Sequence, residues 1–199
     1  MAETSPAATV TRLAGGAELP IPGRWEIDPG HTEVAFIGRH FMLAKVRGRF
    51  TGVTGAIEVA QEPGESAVEV TIDMASVESG NQARDDHLRS ADFFDTAHHP
   101  TATFTGRAAG WQSTRGVLAG ELTIRGVTRP VTLTAEYLGQ VTDPWGGQRA
   151  VFTAAGTLNR EDWGLTWNMP LDNGGLLVSR EIRIEIETEA VLQSTAPPA

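Results

Sequence analysis

The feature that most constrains the fold of this chain is an alternation of apolar and polar residues with a period of two. In the segment 181–191, EIRIEIETEAV, isoleucine occupies positions 182, 184 and 186, and Arg or Glu occupies the positions between them. Successive side chains of a β-strand point to opposite faces, so this pattern predicts a strand with one dry and one solvated face. The same period recurs in TEVAFIG, GAIEVA, AVEVTIDM, GELTIRG and PVTLTAEYL. The chain is therefore predicted to be all-β.

Short groups of turn residues separate these runs, among them DPGH, TGVTG, QEPGES, TDPWGG and DNGG. Many short alternating strands joined by tight turns are typical of an antiparallel barrel or sandwich. A chain of 199 residues is long enough for a single domain with a sizeable core. We expect a barrel of about eight strands over residues 23–192, with flexible tails at 1–22 and 193–199, where the composition favours disorder.

Two segments depart from the alternation and predict one or two short helices beside the barrel. Residues 79–90, SGNQARDDHLRS, contain good helix formers, and either Ser79 or Asn81 could cap the first turn. Residues 40–45, HFMLAK, are expected to form a second short helical turn.

The interior of such a barrel has two interpretations. Eight strands enclose a space that is either filled by side chains or holds one small ligand. The residues predicted to face inward are almost all Val, Ile, Leu, Phe and Met. A cavity with these walls suits an apolar, elongated ligand, whereas the same residues could form a solid core. The alternation alone does not decide between the two.

Charge and composition exclude several classes of function. The chain has 25 acidic and 16 basic residues and a formal net charge of −9, which repels phosphate backbones and argues against nucleic-acid binding. The absence of cysteine excludes disulfides, thiolate metal sites and cysteine nucleophiles. No segment approaches the roughly 20 apolar residues of a membrane span. The N-terminal residues lack the pattern of a signal peptide, so a cytoplasmic location is expected. The sequence does not decide whether the protein forms a homodimer.

The segment 85–100, DDHLRSADFFDTAHHP, concentrates Asp and His, which ligate metals and act as general acids and bases. The spacing disfavours such a site. His87 has no second histidine at i±4, and the adjacent His98 and His99 point to opposite sides of an extended chain. Walker, HExxH and Ser-His-Asp patterns are also missing from the sequence. The protein is therefore predicted to be no enzyme, with no catalytic residue, metal or cofactor.

Four motifs occur in a fixed order along residues 24–191. They are WEIDPGHTEVAFIGRHFMLAKVRGRF, the middle segment VESGNQARDDHLRSADFFDTAHHP, then GELTIRGVTRPVTL and finally LNREDWGL. Together they resemble the YceI family of polyisoprenoid-binding proteins. Thr32 stands where the family usually has Ser, and Trp163 stands where Phe is common, so the pocket there is expected to be narrower. The resemblance implies an extended, eight-stranded, lipocalin-like β-barrel whose apolar tunnel holds a polyprenyl chain or a prenyl-tailed quinone.

The resulting prediction is non-catalytic binding, storage or transport of such an isoprenoid lipid. The expected ligand contacts are inward-facing strand residues, residues near the cavity mouth and the phenylalanines beside the helix: Val34, Phe36, His40, Phe41, Met42, Phe50, Val70, Ile72, Met74, Phe93, Phe94, Phe104, Leu122, Ile124, Phe152 and Trp163. One alternative is a metal-dependent hydrolase or isomerase on the same barrel that uses His31, His40, Asp85 and His87. Another is an interaction protein with a solid barrel.

Overall fold

The computed structural model describes residues 10–170 and 176–193. The strands, numbered in chain order, are β1 (Thr11–Ala14), β2 (Ala17–Pro20), β3 (Gly23–His40), β4 (Ala44–Phe50), β5 (Val53–Val59), β6 (Ala67–Asp73), β7 (Val77–Glu78), β8 (Thr101–Gln112), β9 (Arg115–Ile124), β10 (Val127–Thr142), β11 (Gln148–Asn159) and β12 (Glu181–Leu192). The α-helix is α1 (Gln82–Arg89), and single 3-10 turns cover Pro63–Glu65, Met74–Ser76 and Arg160–Trp163.

Eight of these strands close into an antiparallel barrel. From β3 the order runs through β5, β6, β8, β9, β10, β11 and β12, and β12 pairs with β3 to complete the ring. Closure removes the unpaired edges of an open sheet. The prediction of an all-β, eight-stranded antiparallel barrel with a short helix is therefore confirmed.

Strand β3 is long enough to belong to two parts of the wall. Its first residues, Gly23–Glu26, pair with β5, whereas Val34–His40 pair with β4, which in turn pairs with β7. Helix α1 follows β7 directly and lies beside this half of the barrel. We call this end, with α1 and the β3–β4 turn, the helix end.

Asn81 caps α1, because its side chain accepts a hydrogen bond from the Arg84 backbone N–H. The second expected helical turn, at 40–45, is wrong. The chain there forms a tight turn between β3 and β4, with Phe41 and Met42 at φ values of 53° and 60°. Residues of this type give no signal for a left-handed turn, which normally carries Asn or Gly.

The expected flexible tail at 1–22 is wrong for residues 11–20. Strands β1 and β2 form a hairpin, and Leu19 is only 3% exposed among Trp25, Tyr137 and Ala190. Arg12 fastens the hairpin by donating hydrogen bonds to the carbonyls of Ala60 and Gln61. The hairpin covers one end of the barrel, which we call the hairpin end. Residues 1–9 and 194–199 lie outside the described residues.

Candidate functional site: an apolar cavity in the barrel

The barrel encloses an elongated cavity of about 550 Å³. This volume lies in the range of small-molecule binding sites. The lining extends from Leu19 and Tyr137 at the hairpin end to Trp167 and Leu177 at the helix end. The interior is therefore a tunnel with apolar walls and not a fully packed core.

The alternation along β12 explains how the wall is made. Ile182, Ile184 and Ile186 line the cavity, whereas Arg183 and Glu185 form an ion pair on the outer surface. Lining residues of β12 extend from Ile182 to Thr188, which at about 3.4 Å per residue corresponds to roughly 20 Å of strand. The cavity therefore suits an extended chain better than a compact ligand.

Small side chains leave the space open in the middle of the wall. Ala135 on β10 and Ala154 on β11 are paired across the two strands, and both line the cavity. Next to Ala154, β12 contributes Ile186. Larger residues at these positions would project into the cavity.

The structure brings most of the predicted ligand contacts together. The cavity is lined by Val34, Phe36, His40, Phe50, Val70, Ile72, Met74, Phe93, Phe94, Phe104, Leu122, Ile124, Phe152 and Trp163. Phe41 and Met42, which were also predicted contacts, do not line this cavity and are 49% and 50% exposed. The tight turn at this point ends the strand alternation, and the ring of Phe41 packs against that of His40 with centroids 4.0 Å apart.

Phe93 and Phe94, in the segment after α1, are both buried and line the cavity. Phe94 packs against Phe50 and Phe36, with ring centroids 5.4 and 6.2 Å apart. Phe93 packs against Trp167 at 5.2 Å. The two rings therefore belong to the core and to the cavity wall at once.

Six polar side chains line the wall at the helix end, namely Arg39, His40, Ser79, Arg84, His87 and Arg160. Arg160 is 5% exposed and donates hydrogen bonds to the backbone carbonyls of Ser179 and Leu165. Burial lowers the pKa of its guanidinium. Within the described part of the chain, its Nη2 has no hydrogen-bond partner. The helix end thus combines an apolar wall with a buried positive charge.

The family model for the YceI-like domain matches residues 25–190. Protein YceI of Escherichia coli O157:H7 is 38% identical over 188 residues, which are 93% of this chain and 95% of that protein. The chain belongs to the YceI family.

Solved structures agree with this membership. The YceI protein of Campylobacter jejuni is 30% identical, with a TM-score of 0.67 over 78% of this chain and 90% of the other. BcnA of Burkholderia cenocepacia is 20% identical, with a TM-score of 0.71 over 82% and 99%. A polyisoprenoid binding domain from Saccharophagus degradans is 16% identical, with a TM-score of 0.63 over 87% and 100%. The last two similarities concern the fold alone.

The residues of the metal-dependent alternative are spread over the YceI barrel. His31 is 3.1 Å from Asp28 and lies towards the hairpin end, whereas His40 and His87 line the cavity at the helix end. Asp85 is buried and accepts a hydrogen bond from the Ser79 hydroxyl. No potential metal-binding group within residues 10–170 and 176–193 combines these four side chains.

The described residues do contain one group of possible metal ligands, Asp28, His31 and Glu189. The guanidinium of Arg149 lies among these carboxylates, with Nη1 2.6 Å from Asp28 and 3.3 Å from Glu189. Its hydrogen bond holds the pKa of Asp28 below the ordinary value. The arrangement is a structural ion-pair network whose cation is Arg149.

The other acids and histidines of the segment 85–100 also pair locally. His87 Nε2 lies 2.9 Å from Asp92, and His98 Nδ1 lies 2.9 Å from Asp95. These contacts tie the loop to itself and to α1, so the concentration of Asp and His serves the local structure.

Several wall residues were not among the predicted contacts. Leu118, Leu133, Ile184 and Ile186 line the cavity, and their strand alternation could have identified them. Arg160 had no such signal, because a single arginine in the motif LNREDWGL is typical of a surface residue.

Helices of the described chain are all too short or too polar to cross a membrane.

Proposed function

We propose that this protein binds a long apolar isoprenoid lipid, a polyprenyl chain or a prenyl-tailed quinone, and acts as a non-catalytic carrier or store. The observation that carries the proposal is the elongated cavity of about 550 Å³ with walls of aliphatic and aromatic side chains. An isoprenoid chain gains its affinity from burying apolar surface, at about 25 cal/mol per Å², and needs few directed hydrogen bonds. The related fold described as a polyisoprenoid binding domain supports this ligand class.

The polar groups of the wall orient the ligand in this proposal. The hairpin covers one end with Leu19, so the terminal isoprene units lie there. The head group lies at the helix end, where Arg160, His40 and His87 line the cavity. A buried cation favours an oxygen-bearing head group, because an acceptor oxygen offsets part of the desolvation of the guanidinium.

The proposal is tested by titrating delipidated protein with a prenyl alcohol while tryptophan fluorescence is recorded. Trp163 and Trp167 line the cavity, so ligand entry changes their surroundings. We expect saturable binding at one ligand per chain and weaker binding of a short prenyl alcohol. The double variant Trp163→Phe/Trp167→Phe should bind the alcohol with a smaller fluorescence response, because Trp111 is then the remaining tryptophan of the cavity wall. Absence of saturable binding for every chain length would contradict the proposal.

A further inference from the structure

The turn between β3 and β4 exposes three consecutive apolar residues. Phe41 and Met42 are half exposed, and Leu43 is 80% exposed. Both Phe41 and Met42 have a positive φ, a backbone conformation that bulky residues rarely adopt. Hairpin turns of this geometry favour Asn and Gly, which would relieve the strain and remove the apolar exposure at once. Large apolar side chains at an exposed and strained turn indicate that the turn contacts another molecule.

A fourth apolar side chain extends this surface. The backbone N–H of Phe41 donates to the carbonyl of Leu177, and the N–H of Leu177 donates to the carbonyl of Met169. Met169 is itself exposed. We call Phe41, Met42, Leu43 and Met169 the apolar tip.

Positive charge flanks the apolar tip, although the whole chain is acidic with a net charge of −9. No acidic residue occurs between positions 34 and 57. Arg47 and Arg49 are paired with glutamates. Arg39 and Lys45, the basic residues nearest the tip, are exposed, and neither has an ion-pair partner among the residues that the structure describes. The guanidinium of Arg39 donates a hydrogen bond to the carbonyl of Leu43 in the tip. Exposed apolar side chains beside exposed basic ones are typical of a surface that lies on anionic lipid.

The apolar tip also adjoins the cavity. His40, which precedes the tip, and Leu177, which is hydrogen-bonded to it, both line the cavity and are only partly buried. At the opposite end the β1–β2 hairpin covers the interior. The tip therefore stands beside the part of the cavity wall that the helix end contributes.

We propose that the apolar tip docks the helix end of the barrel onto an anionic lipid bilayer, with the cavity mouth facing the membrane. The second part of this inference, that the lipid ligand passes between bilayer and cavity through this mouth, rests on the proposed function. Burial of the tip in the interfacial region supplies the apolar contribution, and Arg39 and Lys45 supply attraction to lipid phosphates. The barrel itself stays outside the membrane.

The test uses the full chain and sedimentation with vesicles of phosphatidylcholine alone or of equal phosphatidylcholine and phosphatidylglycerol. The main variant is Phe41→Asn/Met42→Gly, which removes two apolar side chains and supplies residues that suit the positive φ values, so it retains the fold. The matched control is Trp145→Ser, which removes an exposed aromatic residue from the β10–β11 turn at the hairpin end. A charge variant, Arg39→Gln/Lys45→Gln, tests the basic flank.

We expect the parent protein and Trp145→Ser to bind the anionic vesicles equally, and the tip variant to bind about tenfold more weakly. The charge variant should lose the preference for anionic vesicles, and high salt should reduce the binding of the parent. Equal binding of parent and tip variant, loss of binding in Trp145→Ser, or a dimer that depends on the tip without vesicle binding would each overturn the inference.

Loading with a prenyl alcohol separates this inference from the proposed function. We expect the tip variant to take up the alcohol from detergent micelles as the parent does, but more slowly from anionic vesicles. Failure of both proteins to load from micelles would contradict the proposed function, while the sedimentation result still decides the docking. Equal rates of uptake from vesicles would overturn the transfer route.

Discussion

The substitution Ala154→Phe tests directly whether the interior is an open tunnel. Ala154 lines the cavity beside Ala135 and Ile186, in the middle of β11. A cavity of about 150 Å³ accommodates one benzene ring, so a phenyl ring takes up to roughly a quarter of the 550 Å³ present. Because a barrel of eight strands is only one small ligand wide, a ring here blocks the passage of a chain.

The expected loss of affinity follows from the apolar surface that the ring displaces. A buried Phe covers at least about 150 Å², and loss of that contact for the ligand at about 25 cal/mol per Å² amounts to roughly 4 kcal/mol as an upper estimate. Binding of a prenyl alcohol should therefore weaken by about 30- to 500-fold. Titration of delipidated protein measures this change.

The stability of the same variant distinguishes a tunnel from a solid core. Filling an empty apolar cavity leaves the free energy of unfolding within about 1 kcal/mol of the parent or raises it, whereas overpacking a filled core lowers it by about 1–3 kcal/mol. Urea unfolding of the delipidated proteins measures the difference. The control is Ala155→Phe, whose side chain lies on the outer face opposite Glu185 and Thr134. Strong destabilisation by Ala154→Phe with unchanged ligand binding would show that the interior is not an open ligand tunnel.

Three further substitutions test individual contacts, all by urea unfolding. Arg160→Met should lower the free energy of unfolding by about 2 kcal/mol, because two buried carbonyls lose their donor. Unchanged stability would show that the cost of burying the guanidinium charge equals the gain from its two hydrogen bonds. Leu19→Ala should cost about 2–3 kcal/mol if the β1–β2 hairpin packs on the barrel, and a negligible effect would argue for a loose hairpin. Arg149→Met should destabilise the protein at neutral pH. Because the pKa of Asp28 is held below its ordinary 3.8 in the fold, this stabilisation is present above that value and is lost as the pH falls through the lower folded pKa. The difference between parent and Arg149→Met should therefore shrink below about pH 4, and a difference that persists unchanged in acid would contradict the ion-pair account.

The sequence predicted the wall of the barrel well because strand alternation links position directly to face. Once Ile182, Ile184 and Ile186 are assigned to one face of β12, closure of the sheet leaves only the interior for them. The same reasoning holds for Val70 and Ile72 on β6. Whether the enclosed space is open depends on the summed volumes of side chains from all strands, such as Ala135 and Ala154, and no local pattern contains that sum.

Local patterns failed where tertiary contacts decide the structure. The β1–β2 hairpin has only four residues in each strand, and it is fixed by the burial of Leu19 and the hydrogen bonds of Arg12 to a distant loop. Phe41 and Met42 adopt positive φ values, which bulky residues rarely do. Their sequence therefore predicted a helical turn and ligand contact instead of a left-handed hairpin turn. Arg160 is buried by residues far along the chain, which hides it from any sequence window.

Native mass spectrometry of gently purified protein shows directly whether the barrel carries an isoprenoid lipid. We expect a bound species, at one per chain, with the mass of a polyprenyl lipid or prenylquinone, and its loss from Ala154→Phe but not from Ala155→Phe. A bare chain that also fails to load with prenyl alcohol, or a chain with stoichiometric metal and no lipid, would contradict a role in lipid binding.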